Sequence, residues 1–346
     1  MRVLVEVLHP AHVHVFRNAI QVWRARGDEV LVLSRKKEVA NELLEAYGIP
    51  FESISELKRG KLSLAVEMVV RDTRMLTRAL SFRPDVLVGV MGVTIVQVGK
   101  LIRRPAVVFY DTENAGITNS FVYPLAHSVC TPDCYEGSVR GRHVTYPSYH
   151  ELAYLHPKRF TPDPSVVRRA GLEPNEPYFL LRFVSWQASH DLGEQGFDLA
   201  MKRRMVELAQ RYGRVLISSE GPLPEDLEPL RFRAPPEEMH HFIAHARVLV
   251  GESATMASEA AVLGVPAFYI ADTGRGYTNH EQLHYGLVWN YKRAEAAQAL
   301  AQFEELCTDP ALSSKMAAAR ARLLAERIDL TGWMVDYVDQ VVRGEA

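Results

Sequence analysis

The segment Gly251-Glu252-Ser253-Ala254-Thr255 has the strongest chemical signature in this 346-residue chain. It follows the apolar run Val248–Gly251 and opens a helix of small residues that Gly264 and Pro266 end. Small side chains at Ser253, Ala254 and Thr255 let an anion approach the helix start, where unpaired N–H groups and the helix dipole favour phosphate. Glu259, one turn further on, is placed to accept hydrogen bonds from the paired hydroxyls of a ribose; the alternative is a plain strand–helix turn with a solvated glutamate. A second group combines Asp111 and Glu113, after the apolar run Val107–Tyr110, with His12 and His14, after Val3–Leu8. Carboxylates and imidazoles are the side chains that move protons near neutral pH. Helix capping is the competing role for the two acids, and a loop-closing hydrogen bond that for His12.

Three further patterns bear weighing. His280-Glu281-Gln282-Leu283-His284 is a literal H-E-x-x-H, with Glu304 downstream as a third ligand for zinc. Cys130 and Cys134 have no second pair, and with Cys307 they make three cysteines, an odd number unlike a disulfide framework. Lys58, Arg59 and Lys61 precede Arg71, Arg74 and Arg78, which recur at i, i+3 and i+7 among apolar residues. Such a face suits either solvent or anionic lipid headgroups.

The elements that would position these residues alternate. Strands are predicted at 3–8, 30–33, 51–54, 86–90 and 107–110, with helices at 15–25, 39–47, 62–80 and 95–102 between them. A proline-rich stretch, 146–177, follows. A second series has strands at 178–183, 215–218, 248–251 and 267–270, and helices at 199–212, 239–246, 256–263, 294–306 and 312–328. This alternation implies two α/β domains built on doubly wound parallel sheets. In such sheets ligands bind beyond the carboxyl ends of the strands, so both sets of loops are expected to face one interdomain cleft. The expected divisions are 1–165, 166–328 and a last helical segment, 329–346.

Composition agrees with two globular cores: 47% hydrophobic and 24% charged. Intrinsic disorder as the main state is excluded. No run of about 18 apolar residues is present, and the N-terminus is too quickly polar for a secretion signal, so a cytoplasmic location is expected. The formal charge of −2 hides an asymmetry. Residues 1–170 carry 23 basic and 17 acidic side chains, and the remainder 17 and 25. The basic half suits an anionic or lipid-linked acceptor at the inner face of a membrane, and no nucleic-acid partner is expected.

These motifs resemble known nucleotide-sugar enzymes. Glu252, Ser253, Ala254, Thr255 and Glu259 resemble the donor loop of the non-hydrolysing UDP-N-acetylglucosamine 2-epimerases. The resemblance implies a ribose contact at Glu259 and uracil contacts around Met239 and His240. FYDTENAG resembles the stretch carrying that family's catalytic glutamate, which matches Glu113. LLRFVSWQASHD occupies the place of its phosphate-binding segment, implicating Arg182, Ser185 and His190. Two other acids of that family are missing, at Val90-Met91-Gly92 and Pro124-Leu125-Ala126. HVHVF resembles the opening of the lipid-linked N-acetylglucosaminyltransferase of peptidoglycan synthesis, with His14 in the place of its proposed base. The whole chain resembles an uncharacterised prokaryotic and archaeal family of predicted glycosyltransferases sharing the HPAHVHxF start and the RFVSWxASHD stretch.

The resemblance implies a GT-B-like pair of Rossmann-like domains and a glycosyltransferase of polysaccharide, glycolipid or glycoconjugate synthesis. The donor is expected to be UDP-linked, with no cofactor and no metal, and Gln282 is expected near the sugar. An epimerase, a non-catalytic nucleotide-sugar binder and a zinc hydrolase through His280, Glu281 and His284 are the alternatives.

Overall fold

The structure, a computed structural model, describes residues 1–36, 39–56, 61–113, 116–173, 176–184, 197–273 and 276–346. They form two compact units, Met1–Arg159 with Ile328–Ala346, and Phe160–Arg327.

Unit 1 holds seven strands: β1 (Arg2–Val7), β2 (Glu29–Lys36), β3 (Glu52–Glu56), β4 (Val86–Val90), β5 (Ala106–Phe109), β6 (Ser128–Pro132) and β7 (His143–Tyr146). Their order is β3-β2-β1-β4-β5-β6-β7, and every pair is parallel. Parallel pairing requires a crossover between strands, so both faces are covered and the central strands become continuous apolar runs. Val3, Leu4, Val5 and Val7 of β1, and Val86, Leu87 and Val88 of β4, are fully buried. The winding direction reverses between β1 and β4, which places a crevice beyond their carboxyl ends.

Unit 2 holds β8 (Tyr178–Phe183), β9 (Arg214–Ser219), β10 (Val248–Gly251), β11 (Ala267–Ile270) and β12 (Val288–Tyr291), ordered β12-β11-β10-β8-β9 and again all parallel. Here the reversal falls between β8 and β10. Gly251 is required at that seam. A Cβ there would stand 2.7 Å from the Arg182 carbonyl oxygen and 2.8 Å from the Arg182 Cβ.

The fold class is therefore the expected one, two doubly wound parallel α/β sheets. Three strands escape the sequence pattern. β7 and β12 are edge strands with half-exposed polar residues, and β6 includes Ser128, Thr131 and Pro132. The first helix also differs. It spans Pro10–Ala25, because Pro10 takes its first turn and His9 caps it, accepting from the Ala11 N–H at 3.2 Å. His12 and His14 thus lie on a helix rather than a loop.

The chain passes between units at Arg159/Phe160, earlier than the expected position 165, and helix Pro164–Arg169 belongs to unit 2. It returns at Ile328, and helix Leu330–Arg343 packs against helix Pro10–Ala25. The Arg159 guanidinium donates to Asp329 at 2.6 and 3.0 Å, tying the exit from unit 1 to the return. The Ser148 hydroxyl donates to the Ile328 carbonyl at 2.7 Å and Thr331 to the Ala153 carbonyl at 2.7 Å. Among the described residues no helix is long and apolar enough to cross a membrane.

Candidate functional site

In unit 1, Asp111 stands just beyond the end of β5. Its Oδ2 is 2.9 Å from His150 Nδ1, and its Oδ1 accepts from the Thr112 hydroxyl at 3.0 Å. The Asp111 side chain keeps 18% of its surface exposed, whereas that of His150 keeps 5%. Burial alone would raise the Asp111 pKa; the His150 imidazole, the Thr112 hydroxyl and the nearby His12 outweigh it and hold the carboxyl below its ordinary range. Burial likewise opposes an imidazolium at His150, but Asp111 and Glu151 outweigh it and the His150 pKa is raised. Sequence reasoning missed His150, which lies in the proline-rich stretch on a single turn of 3-10 helix, His150–Ala153.

His12 and Glu113 belong to the same neighbourhood. Burial pushes the Tyr135 hydroxyl up to about 12, with Glu113 and Asp111 adding to it, so both carboxylates lie near that ring. His12 Nδ1 accepts from the Leu8 N–H at 3.3 Å, the loop-closing bond that was the competing expectation. An imidazole accepting at Nδ1 carries its proton at Nε2 when neutral. His12 is therefore a donor in this geometry, and the open carboxylate of Asp111 is the group shaped to accept a proton.

His14 does not join this group. Residues two apart on a helix point about 200° apart. Its ring stacks on Tyr154 with centroids 5.2 Å apart, and its Nδ1 lies 3.4 Å from both Arg17 and the Tyr47 hydroxyl. It is buried against Tyr154, Arg17 and Tyr47.

The basic helix, Lys61–Phe82, also departs from expectation. Arg71 is buried, donating to Thr94 at 3.0 Å and lying 3.4 Å from Glu67, which itself accepts from Ser55 at 2.5 Å. It also faces Glu6, which burial pushes up to about 7 against the pull of Arg71. Arg74 donates to the Ile54 carbonyl at 2.9 Å and Arg78 to Glu52 at 2.6 Å. These arginines are engaged by Thr94, Glu67, the Ile54 carbonyl and Glu52 instead of forming a free cationic face. Lys58 and Arg59, and the Lys61 side chain, lie outside what is described.

In unit 2, Ser253 caps helix Ala254–Leu263, its hydroxyl accepting from the Met256 N–H at 3.3 Å. Ser253, Ala254 and Thr255 are half-buried at the β8/β10 reversal, next to the end of β8. Glu252 is buried. Its Oε2 accepts from the Val184 N–H at 2.8 Å and its Oε1 lies 3.5 Å from Lys202 Nζ. Burial raises the Glu252 pKa, with Lys202 opposing. Lys202, another residue missed in the sequence, also lies 4.5 Å over the Phe183 ring and lines a pocket of about 290 Å3 with Val184, Ser219, Pro222 and Leu227.

Several expected contacts are already engaged. Glu259 is not solvated. Its Oε1 accepts from His240 Nε2 at 2.9 Å, with side-chain exposures of 6% and 3%. Met239 opens the short helix that carries His240. The Arg182 guanidinium donates to Ser218 at 2.9 Å and to Glu220, so its charge is matched within the protein. Gln282 Oε1 accepts from both the backbone and the side chain of Asn290 at 2.8 Å, anchoring β12. In the H-E-x-x-H segment, Glu281 is fully buried and accepts from Ser258 at 2.6 Å, while Arg327 approaches His280 Nε2 at 3.1 Å. A guanidinium at that nitrogen is incompatible with zinc there. Among the described residues no group of three or more His, Cys, Asp or Glu could hold a metal ion. Ser185 and His190 lie outside the described residues.

Residues 1–139 match a family described as a protein of unknown function, DUF354. No curated protein matches the chain. Solved structures do match in fold. The UDP-GlcNAc 2-epimerase from Neisseria meningitidis bound to UDP-GlcNAc is 12% identical, covering 98% of this chain and 100% of its own, with a TM-score of 0.69. The spinosyn forosaminyltransferase SpnP is 15% identical over 99% of each chain, with a TM-score of 0.66. SsfS6, a glycosyltransferase of Streptomyces sp. SF2575, is 14% identical over 98% of this chain and 100% of that one, with a TM-score of 0.62. The chain thus has the two-domain α/β fold of the GT-B glycosyltransferases, along its whole length.

Proposed function

We propose that this protein is a nucleotide-sugar-dependent glycosyltransferase. Unit 2 binds the donor, probed first as a UDP-sugar, and unit 1 binds the acceptor and removes its proton. The observation that carries the reading is Asp111, an ionised, part-open carboxylate at the strand ends of a unit whose fold is shared with glycosyltransferases.

Glycosyl transfer makes two demands. A base must take the acceptor hydroxyl proton as its oxygen attacks the anomeric carbon, and the departing diphosphate must be stabilised. Asp111 meets the first, with the His12 Nε2–H and Glu113 nearby to orient the hydroxyl. The start of helix Ala254–Leu263 meets the second with backbone N–H groups and its dipole, Ser253 and Thr255 adding hydroxyls. Glu259 takes the ribose only once its closed side chain is uncovered for the ligand. No cofactor is required in this scheme, and neither sugar nor acceptor is specified by it.

Thermal-shift titration with UDP, GDP, CDP and TDP sugars, with Glu259→Ala as control, tests donor binding. Product analysis with and without candidate lipid-linked and polyanionic acceptors then separates transfer from epimerisation. Stabilisation by one nucleotide class and acceptor-dependent product are expected. Turnover of UDP-N-acetylglucosamine without acceptor would establish an epimerase instead, and the absence of any stabilising nucleotide would overturn the reading of unit 2.

A further inference from the structure

His150 is not among the residues that the motifs single out, yet it makes the closest ionic contact of the unit 1 site. Its Nδ1 lies 2.9 Å from Asp111 Oδ2, and it is 95% buried by side-chain surface. Two aromatic side chains support it. Tyr146 at the end of β7 lies nearly parallel to its ring, at 18° and 6.4 Å between centroids, and Trp333 of the C-terminal helix packs on Tyr146 at 5.0 Å. The turn that carries it is fixed on both sides. The Ser148 hydroxyl holds the Ile328 carbonyl, and the Ala153 carbonyl accepts from Asn18 Nδ2 at 2.8 Å and from Thr331 at 2.7 Å. An imidazole on so rigid a mount can impose one rotamer on the carboxylate that it grips. With Oδ2 taken by His150 and Oδ1 sharing the Thr112 hydroxyl, the remaining lone pairs of Asp111 are the ones left for a substrate.

We propose that His150 is a positioning residue that holds the Asp111 carboxylate in one orientation and in its charged form. In its consequence for catalysis the inference rests on the reading of Asp111 as the acceptor-side base; the pairing itself does not. A pinned anionic carboxylate is ready for the acceptor hydroxyl without first turning or losing a proton, a preorganisation that offsets the weaker basicity of a depressed pKa. The groups that bear on the pair are His12 on helix Pro10–Ala25, Thr112 after β5, Glu151 on the turn itself, and Tyr123, Tyr135 and Tyr146, whose hydroxyls feel the Asp111 charge.

The test follows the Asp111 carboxyl by 13C NMR in protein labelled at aspartate Cγ, in the wild type and in His150→Ala and His150→Asn, and assigns the resonance with Asp111→Asn. The wild-type midpoint is expected below the ordinary carboxylate range. His150→Ala should move it up into that range. His150→Asn, whose Nδ2–H donates from nearly the same place, should return it part of the way. With the transfer assay in hand, His150→Ala should lower kcat about tenfold, the worth of one charge-assisted hydrogen bond. It should also move the acid limb of the pH profile upward and leave the donor KM unchanged, with Asn restoring most of kcat. An Asp111 midpoint unmoved in His150→Ala overturns the proposal. If that variant does not fold, the His150 imidazole is titrated by 15N NMR in Asp111→Asn, where a midpoint that fails to fall overturns it equally. A wild type inactive with every donor overturns the transferase reading alone, because the carboxyl titration needs no substrate.

Discussion

Among the described residues, unit 1 holds a histidine–carboxylate pair, His150–Asp111, and unit 2 another, His240–Glu259, each at 2.9 Å. The contact is the same but the surroundings are not. Asp111 keeps 18% of its side-chain surface open, while Glu259 keeps 6%. A carboxylate gripped by imidazole and still part-open is held ready for a ligand. One gripped and closed over must first be uncovered. The comparison teaches that exposure of the acid, rather than the length of the bond, separates a preorganised group from a latch.

The strongest way to break this comparison is to neutralise the open acid. Asp111→Asn should lower kcat by about 10^2–10^4-fold, the usual range for losing a general base, with donor affinity nearly unchanged. Initial rates beside calorimetric donor titration will show it, and a loss confined to donor affinity would reverse the roles given to the two units. Next in size is the closed acid. Glu259→Gln should weaken donor binding by about tenfold or more, the cost of a charge-assisted hydrogen bond, and leave the Asp111 titration where it was.

Gly251→Ala sharpens the contrast by disturbing unit 2 alone. The added methyl meets the Arg182 backbone at 2.7 Å, and overpacking of this kind costs about 1–3 kcal/mol. Calorimetry should show a lowered melting temperature, with the unit 1 carboxyl titration unaltered.

The smallest expected effect is on the pH dependence of stability. The depressed pKa of Asp111 gives a contribution complete above about pH 4 and lost as pH falls through the lower folded value. The raised pKa of His150 gives one complete below about pH 6.5 and lost as pH rises through the higher folded value. The pair stabilises most between those limits. The difference in melting temperature between wild type and Asp111→Asn should therefore peak there and shrink on both sides; a difference that grows steadily with pH would mean that the imidazole is not charged by its partner.

The sheets were legible in the sequence because parallel strands buried on both faces are written as apolar runs, such as Val3–Val7 and Val86–Val90. β7 and β12 were not, because an edge strand tolerates His143, Thr145 and Asn290. Asp111 and the Ser253 turn could be read from their places after such runs. His150 could not. Its partner is 39 positions away, and only the folding of β6 and β7 beside β5 brings them together. The arginines of the long helix misled for a related reason. Helical spacing shows Glu67 four residues before Arg71 on one face, but Glu52, the counter-charge of Arg78, comes from a neighbouring strand.

The helix Leu330–Arg343 bears on how the molecule is made. Synthesis runs from the N-terminus, so residues 1–159 of unit 1 emerge before unit 2, but Trp333, which supports Tyr146 behind His150, leaves the ribosome only after all of unit 2. Until then Phe109 lacks the Trp333 ring that meets it edge-on at 6.4 Å, and helix Pro10–Ala25 lacks its partner. Unit 2 is continuous and can close on itself during elongation, as domains commonly do. Unit 1 is thus begun before unit 2 and finished after it, and a stop codon that removes helix Leu330–Arg343 leaves a complete second unit attached to an unfinished first one.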